Sequence, residues 1–218
     1  MRIFVSNIIL MKQIGLNSAT YIKALIIDYL LKQNSNIIIG NEVMYGVERR
    51  MVDLIVLNDS NITAIEIKAQ KDSFRRIIDQ IREYKKIFSY IYIYTTENHL
   101  QQATQYLSND IGIYAITAND EIKLIRRATK QVKSDKSAIL SSIKTSYLYK
   151  LSPDKKYLNA DEIRIIYQKK SIKFLQKILY DYFQFKIKDQ FNTFLSEKGN
   201  IPHIEDVFLL AFPETTII

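Results

Sequence analysis

The chain has 218 residues, 47% of them hydrophobic and 25% charged, which fits a globular protein with a sizeable core and argues against disorder for its bulk. It holds no cysteine, which excludes both a disulfide framework and a thiolate zinc site. Lys and Arg outnumber Asp and Glu by 31 to 23, a formal charge of +8 that favours polyanionic partners such as nucleic acid, although a solvated lysine-rich surface gives the same balance.

The opening MRIFVSNIILMKQ has a short apolar patch broken by Ser6 and Asn7, with no small-residue cleavage site after it, so no signal peptide is read there. No apolar run approaches the roughly 20 residues that cross a bilayer, and a cytoplasmic protein without a membrane partner is expected. Residues 18–33 predict a helix, capped by Ser18, with Tyr21, Ile22, Leu25, Ile26, Tyr29 and Leu30 in one stripe. Residues 37–45 read as extended, 46–50 as a turn, 51–57 as an apolar strand, 58–61 as a second turn and 62–68 as the next strand. Residues 72–88 predict an amphipathic helix capped by Asp72 or Ser73. A strand at 90–95, a short helix at 97–107 and strands at 111–117 and 122–126 follow. This order predicts an α/β mixed sheet flanked by helices. After Lys133 strand patterns stop, and 136–149, 159–183 and 186–197 read as helices. The expected division is an α/β core over 1–134 and a helical C-terminal region over 135–218.

The chemistry is concentrated between Glu42 and Tyr84. If the two strands form a hairpin around 58–61, Leu57 faces Ile62, and the same register carries Asp53 opposite Glu66. Two carboxylates about 5 Å apart at Cβ repel, unless a cation lies between them. Without a metal, one of the pair should hold its proton more tightly. Lys68, two residues beyond Glu66, falls on the same face, where its ammonium can neutralise a scissile phosphate or position a water. The Ile67 carbonyl is a natural extra metal ligand. The competing reading makes Asp53 and Glu66 surface residues of an amphipathic hairpin, and a one-residue slip would part them.

Val52–Asp53, then Glu66–Ile67–Lys68, then Gln80-x-x-x-Tyr84 resembles the PD-(D/E)xK nuclease superfamily over roughly residues 18–118, in particular a little-characterised bacterial branch with a Gln-x-x-x-Tyr helix. The resemblance implies a restriction-endonuclease-like fold, to which the helical C-terminal region read above is an extension, and hydrolysis of nucleic acid, with DNA the expected substrate. Asp53 and Glu66 would hold Mg²⁺ or Mn²⁺, Lys68 would serve water or phosphate, and Gln80 and Tyr84 would support them or touch the backbone. Packing is the alternative role for those last two. Val52 stands where the motif has proline. Where many members carry a glutamate in the first helix, this one offers only Asp28; Glu42 is the preferred extra acid and Glu48, which could instead pair with Arg49 or Arg50, its competitor.

Arg76 shares a helix face with Gln80 and Tyr84 and is the leading phosphate contact, with Arg75 and Lys71 beside it. Arg126 and Arg127, in a run of bases without acids, are further candidates or a solvated linker. The aromatic C-terminal helices suit packing or a homodimer better than base stacking. A catalytically silent module that binds nucleic acid or protein is the alternative function, and a structural assembly protein the third.

Overall fold

The computed structural model describes residues 18–70 and 72–211; the opening segment read for a signal peptide lies outside them, as does Lys71. Helix α1, Ala19–Gln33, begins where the Ser18 hydroxyl accepts the Tyr21 N–H and buries Ile22, Ile26 and Ile27. Strands β1 (Ile38–Tyr45), β2 (Arg50–Asn58) and β3 (Asn61–Lys68) run antiparallel, and β4 (Tyr90–Thr96) and β5 (Gly112–Ile116) continue the sheet in parallel. Strand β6 (Ile122–Arg126) closes it antiparallel, giving six strands in the order 1-2-3-4-5-6.

The β2–β3 link is as tight as the sequence predicts. Asn58 pairs with Asn61, and Asp59 and Ser60 between them both take left-handed φ (46° and 64°), the geometry that suits the twist of a two-residue hairpin. Parallel strands need a crossover. The first uses a 3₁₀ turn at Phe74–Arg76 followed by α2, Ile77–Lys85, and the second uses α3, Glu97–Tyr106. The predicted helix at 72–88 is thus shorter and starts as 3₁₀, with Ser73 accepting the Arg75 N–H. At the start of β5, a Cβ on Gly112 would lie 2.2 Å from the Tyr92 ring and 2.9 Å from the Ala128 nitrogen, so only glycine fits under that ring.

Five helices follow the sheet: α4 (Lys136–Ser142), α5 (Thr145–Leu151), α6 (Ala160–Gln168), α7 (Ile172–Glu197) and α8 (Ile204–Leu209). The expected helix 136–149 is broken at Ile143–Lys144, where the Arg164 guanidinium takes the carbonyls of Leu140 and Ile143. The break expected near 184 lies instead at 169–171, where Ser171 caps α7 through the Phe174 N–H.

These helices share the core of the sheet. One cluster joins Ile55, Leu57, Ile62 and Ala64 to Ile81 and Tyr84 of α2 and to Ile139, Leu148, Leu179 and Phe183 beyond residue 134. The opposite face packs Leu54, Val56, Ile65 and Ile67 against α1, α8 and the end of α7 at Phe191 and Phe194. Helix α7 therefore passes the β1 edge from one face to the other. Gly40 permits the approach: a Cβ there would meet Val43 at 2.9 Å and Ile187 at 3.1 Å. The Asn41 N–H donates to the Leu210 carbonyl and its Nδ2 to that of Val207, which covers an edge that would otherwise offer unpaired amides. Among the described residues no helix is long and apolar enough to cross a membrane.

Candidate functional site

The β2–β3 ladder is regular from Asn58↔Asn61 to Leu54↔Ile65, and one further step brings Asp53 level with Glu66. There the backbone pairing gives way to a side chain: Asp53 Oδ2 accepts the Ile67 N–H at 2.7 Å. The ladder on the other side is interrupted at the same level. Asn41↔Leu54 and Val43↔Val52 flank Glu42, whose φ of 52° marks a local kink in β1. Asp53 thus sits where β3 parts from β2 and opposite the kink in β1.

Ile62 and Ala64 face the α2 side, and strand alternation carries Glu66 and Lys68 to the same side. Helix α2 meets them there. Glu66 Oε1 accepts from Lys68 Nζ at 2.8 Å and from Gln80 Nε2 at 2.7 Å, and Oε2 accepts from the Tyr84 hydroxyl at 2.5 Å. Lys68 Nζ also reaches Gln80 Oε1 at 3.3 Å. Gln80 and Tyr84 lie one turn apart on α2, which is why both bear on one carboxylate. Glu66 and Lys68 are only 3% and 8% exposed, so the alternative of a solvated hairpin surface does not describe them. Tyr45, Tyr84 and Phe88 form an aromatic wall with ring centroids 5.3–5.5 Å apart. Thr95, fully buried and paired with Lys68 in the β3–β4 ladder, extends the polar row onto β4.

Burial, followed by the charge of Glu66, pushes the Asp53 carboxyl up to about 7, against the opposing pull of the Ile67 N–H, Lys23 and Lys68. Asp53 therefore holds its proton more tightly than an ordinary carboxyl does. Burial and the charge of Glu66 also push the Tyr84 hydroxyl well above its ordinary value, which keeps it a donor.

The extra acids take other partners. Glu42 is ion-paired with Lys23 at 2.8 Å, and Glu48 with Arg50 at 2.6 Å in the exposed turn. Lys23 is the residue the sequence reading missed. It is 5% exposed on α1, one turn before the buried Ile27, and its charge acts on Asp53. Its signal was a lysine at an inward helical position. Arg75 and Arg76 stand exposed at the start of α2, on the element that supplies Gln80 and Tyr84. Arg126 does not join them: its guanidinium donates to the carbonyls of Leu107, Ser108 and Ile111 at 2.8–3.0 Å, stapling the turn before β5. Arg127 follows β6, the edge strand beyond β4 and β5, and its charge acts on Tyr114 of β5.

Among the described residues no group of three or more His, Cys, Asp or Glu side chains is placed to hold a metal ion. The available set is two carboxylates, Asp53 and Glu66, with the Ile67 carbonyl. That set fits Mg²⁺, which commonly takes one or two protein carboxylates and completes its shell with water and substrate phosphate.

The fold and site define an α/β protein with a buried acid–acid–amine centre where the middle strands of a mixed sheet part. The family model described as "Bacteriophage P4 protein cII" matches residues 15–210, and the chain belongs to that family. It is similar to "Protein cII" of Enterobacteria phage P4, 28% identical over 101 residues, which is 45% of this chain and only 38% of that relative. Among solved structures, a protein of unknown function from Silicibacter pomeroyi is 14% identical with a TM-score of 0.38, covering 60% of this chain and 87% of that one. A second protein of unknown function, AF1548, is 13% identical with a TM-score of 0.31, covering 76% of this chain and 97% of that one. Neither likeness is close enough to imply a shared fold.

Proposed function

We propose that this chain is a divalent-metal-dependent nuclease of the PD-(D/E)xK type, hydrolysing phosphodiester bonds in nucleic acid, with DNA the expected substrate. One observation carries the reading: Asp53, which accepts the Ile67 N–H, lies level with the buried Glu66–Lys68 ion pair at the break between β2 and β3. Nothing in the packing of an apolar sheet calls for that cost, whereas phosphoryl hydrolysis uses each group.

Asp53, Glu66 and the Ile67 carbonyl would hold Mg²⁺ or Mn²⁺. When bound, such an ion polarises a phosphate oxygen and makes a bound water acidic enough to attack at neutral pH. Lys68, held at 2.8 Å from Glu66, places a positive charge where the phosphate gains negative charge. Gln80 and Tyr84 are positioning residues that fix the Glu66 carboxylate in one orientation. Arg75 and Arg76 would meet the incoming phosphate backbone, which the net charge of +8 also favours.

A second reading rests on a specific observation. Glu66 already accepts three hydrogen bonds, and no third acid joins it among the described residues. A silent module that binds nucleic acid or protein would tolerate that arrangement. Incubating the purified chain with single-stranded DNA, duplex DNA and RNA, with Mg²⁺, Mn²⁺ or chelator, separates the two. The nuclease reading expects metal-dependent cleavage that falls at least 100-fold in Lys68→Ala. Equal cleavage by that variant, or none by the wild type, would refute it.

A further inference from the structure

The β1–β2 turn, the α4–α5 joint and the middle of α7 meet on the α2 side of the sheet. The Gly46 N–H donates to Ser142 Oγ at 2.9 Å, which ties the turn to the joint. The Tyr147 N–H donates to the Lys144 carbonyl at 2.9 Å, and the Tyr147 ring packs on Tyr182 at 5.1 Å and on Phe185 at 5.5 Å, which ties the joint to α7. These ties gather three cations from three segments: Arg49 from the turn, Lys144 from the joint and Lys186 from α7. They lie near enough that burial, then Lys144 and Arg49, push the Lys186 ammonium down to about 8. Among the described residues no carboxylate is ion-paired with Arg49 or Lys144, and both are exposed. Beside them Phe185 is 60% exposed, with Lys150 Nζ 4.7 Å from its ring centroid.

We infer that Arg49 and Lys144 form a phosphate-binding cradle for a single nucleic acid strand, with Phe185 as the platform for an unpaired base. Two exposed like charges held close together repel, and an anion between them removes that cost. An exposed aromatic ring within a basic patch suits a strand whose bases are free to stack, which a duplex does not offer. Arg49 lies in the turn just before β2, four residues from Asp53, a span that a strand covers in a few nucleotides. The choice of nucleic acid as the ligand rests on the nuclease reading; the cradle would hold strand outside the reacting centre and set its path toward Asp53.

The test is fluorescence anisotropy with a labelled oligothymidine of about 15 nucleotides, in chelator so that cleavage plays no part. Duplex DNA and inorganic phosphate serve as competing ligands. The cradle predicts at least tenfold weaker binding in Arg49→Ala/Lys144→Ala and a salt slope shallower by about 1.4, two contacts of about 0.7 each. Phe185→Ala should weaken binding about tenfold without changing that slope. Lys130→Ala, an exposed cation on the segment that runs back past Asp110 and Ser89, should change neither. Thermal unfolding of each variant separates lost binding from lost fold. Unchanged affinity in the double variant, an equal loss in Lys130→Ala, no binding by the wild type, tighter binding of duplex, or displacement of the oligonucleotide by millimolar phosphate would each overturn the proposal. Strand binding that depends on Arg49 and Lys144 in a chain that cleaves nothing would sustain the cradle and sink the nuclease reading. Metal-dependent cleavage with normal binding in the double variant would do the reverse.

Discussion

Asp53 ties stability to the proposed chemistry. Its carboxyl is raised to about 7, so the metal-free folded state binds that proton more tightly than the unfolded chain. Folding therefore loses stability as pH climbs from about 4 toward 7, and the full deficit stands above that. Asp53→Asn keeps an oxygen for the Ile67 N–H and removes the titration. At pH 8 it should stabilise the metal-free protein by on the order of 2 kcal/mol, roughly 5 °C in Tm, while abolishing the proposed cleavage. The gain should vanish at pH 4; a lower Tm at pH 8 would show that Asp53 is not the proton-holding acid. Tyr84→Phe keeps the buried ring and removes one donor from Glu66, so denaturant unfolding should show a loss of about 2 kcal/mol. An unchanged midpoint would mean that this hydrogen bond contributes nothing net. The Asp53–Glu66–Lys68 row was legible because strand alternation and hairpin arithmetic need no distant information. Lys23 and Arg126 were not: a lysine on a helix is ordinarily solvated, and the carbonyls that hold Arg126 come from a turn at least 15 residues away in the chain.

At the scale of elements, the register of the β2–β3 hairpin was readable, since a cluster of turn residues at 58–61 separates two apolar strands, although both strands run one residue into that cluster. The helices after residue 134 were readable as helices, the short α8 excepted, but not in their limits. Their ends are set by tertiary partners, as Arg164 shows in taking the carbonyls that end α4. The junction of β4 and β5 gives a direct test of the sheet. Gly112→Ala must displace the Tyr92 ring or the backbone at Ala128, and should cost about 2 kcal/mol or more in thermal unfolding. A neutral substitution would place Tyr92 elsewhere.

At the scale of the molecule, the change of pattern near residue 134 marks a change of element type, while the buried core runs across it. Ile139, Leu148, Leu179 and Phe183 cover the same sheet face as Ile81 and Tyr84. A chain ending at residue 134 should expose that face, lose cooperative unfolding and bind a hydrophobic dye. A cooperative, monomeric fragment would show instead that the sheet and α2 suffice. The account as a whole rests on two acids from neighbouring strands sharing one cation. Mn²⁺ titration followed by electron paramagnetic resonance reads that directly. One ion per wild-type chain, bound in the micromolar to millimolar range and lost in both Asp53→Asn and Glu66→Gln, is the predicted result. Binding that survives both substitutions, or no binding by the wild type, would contradict it.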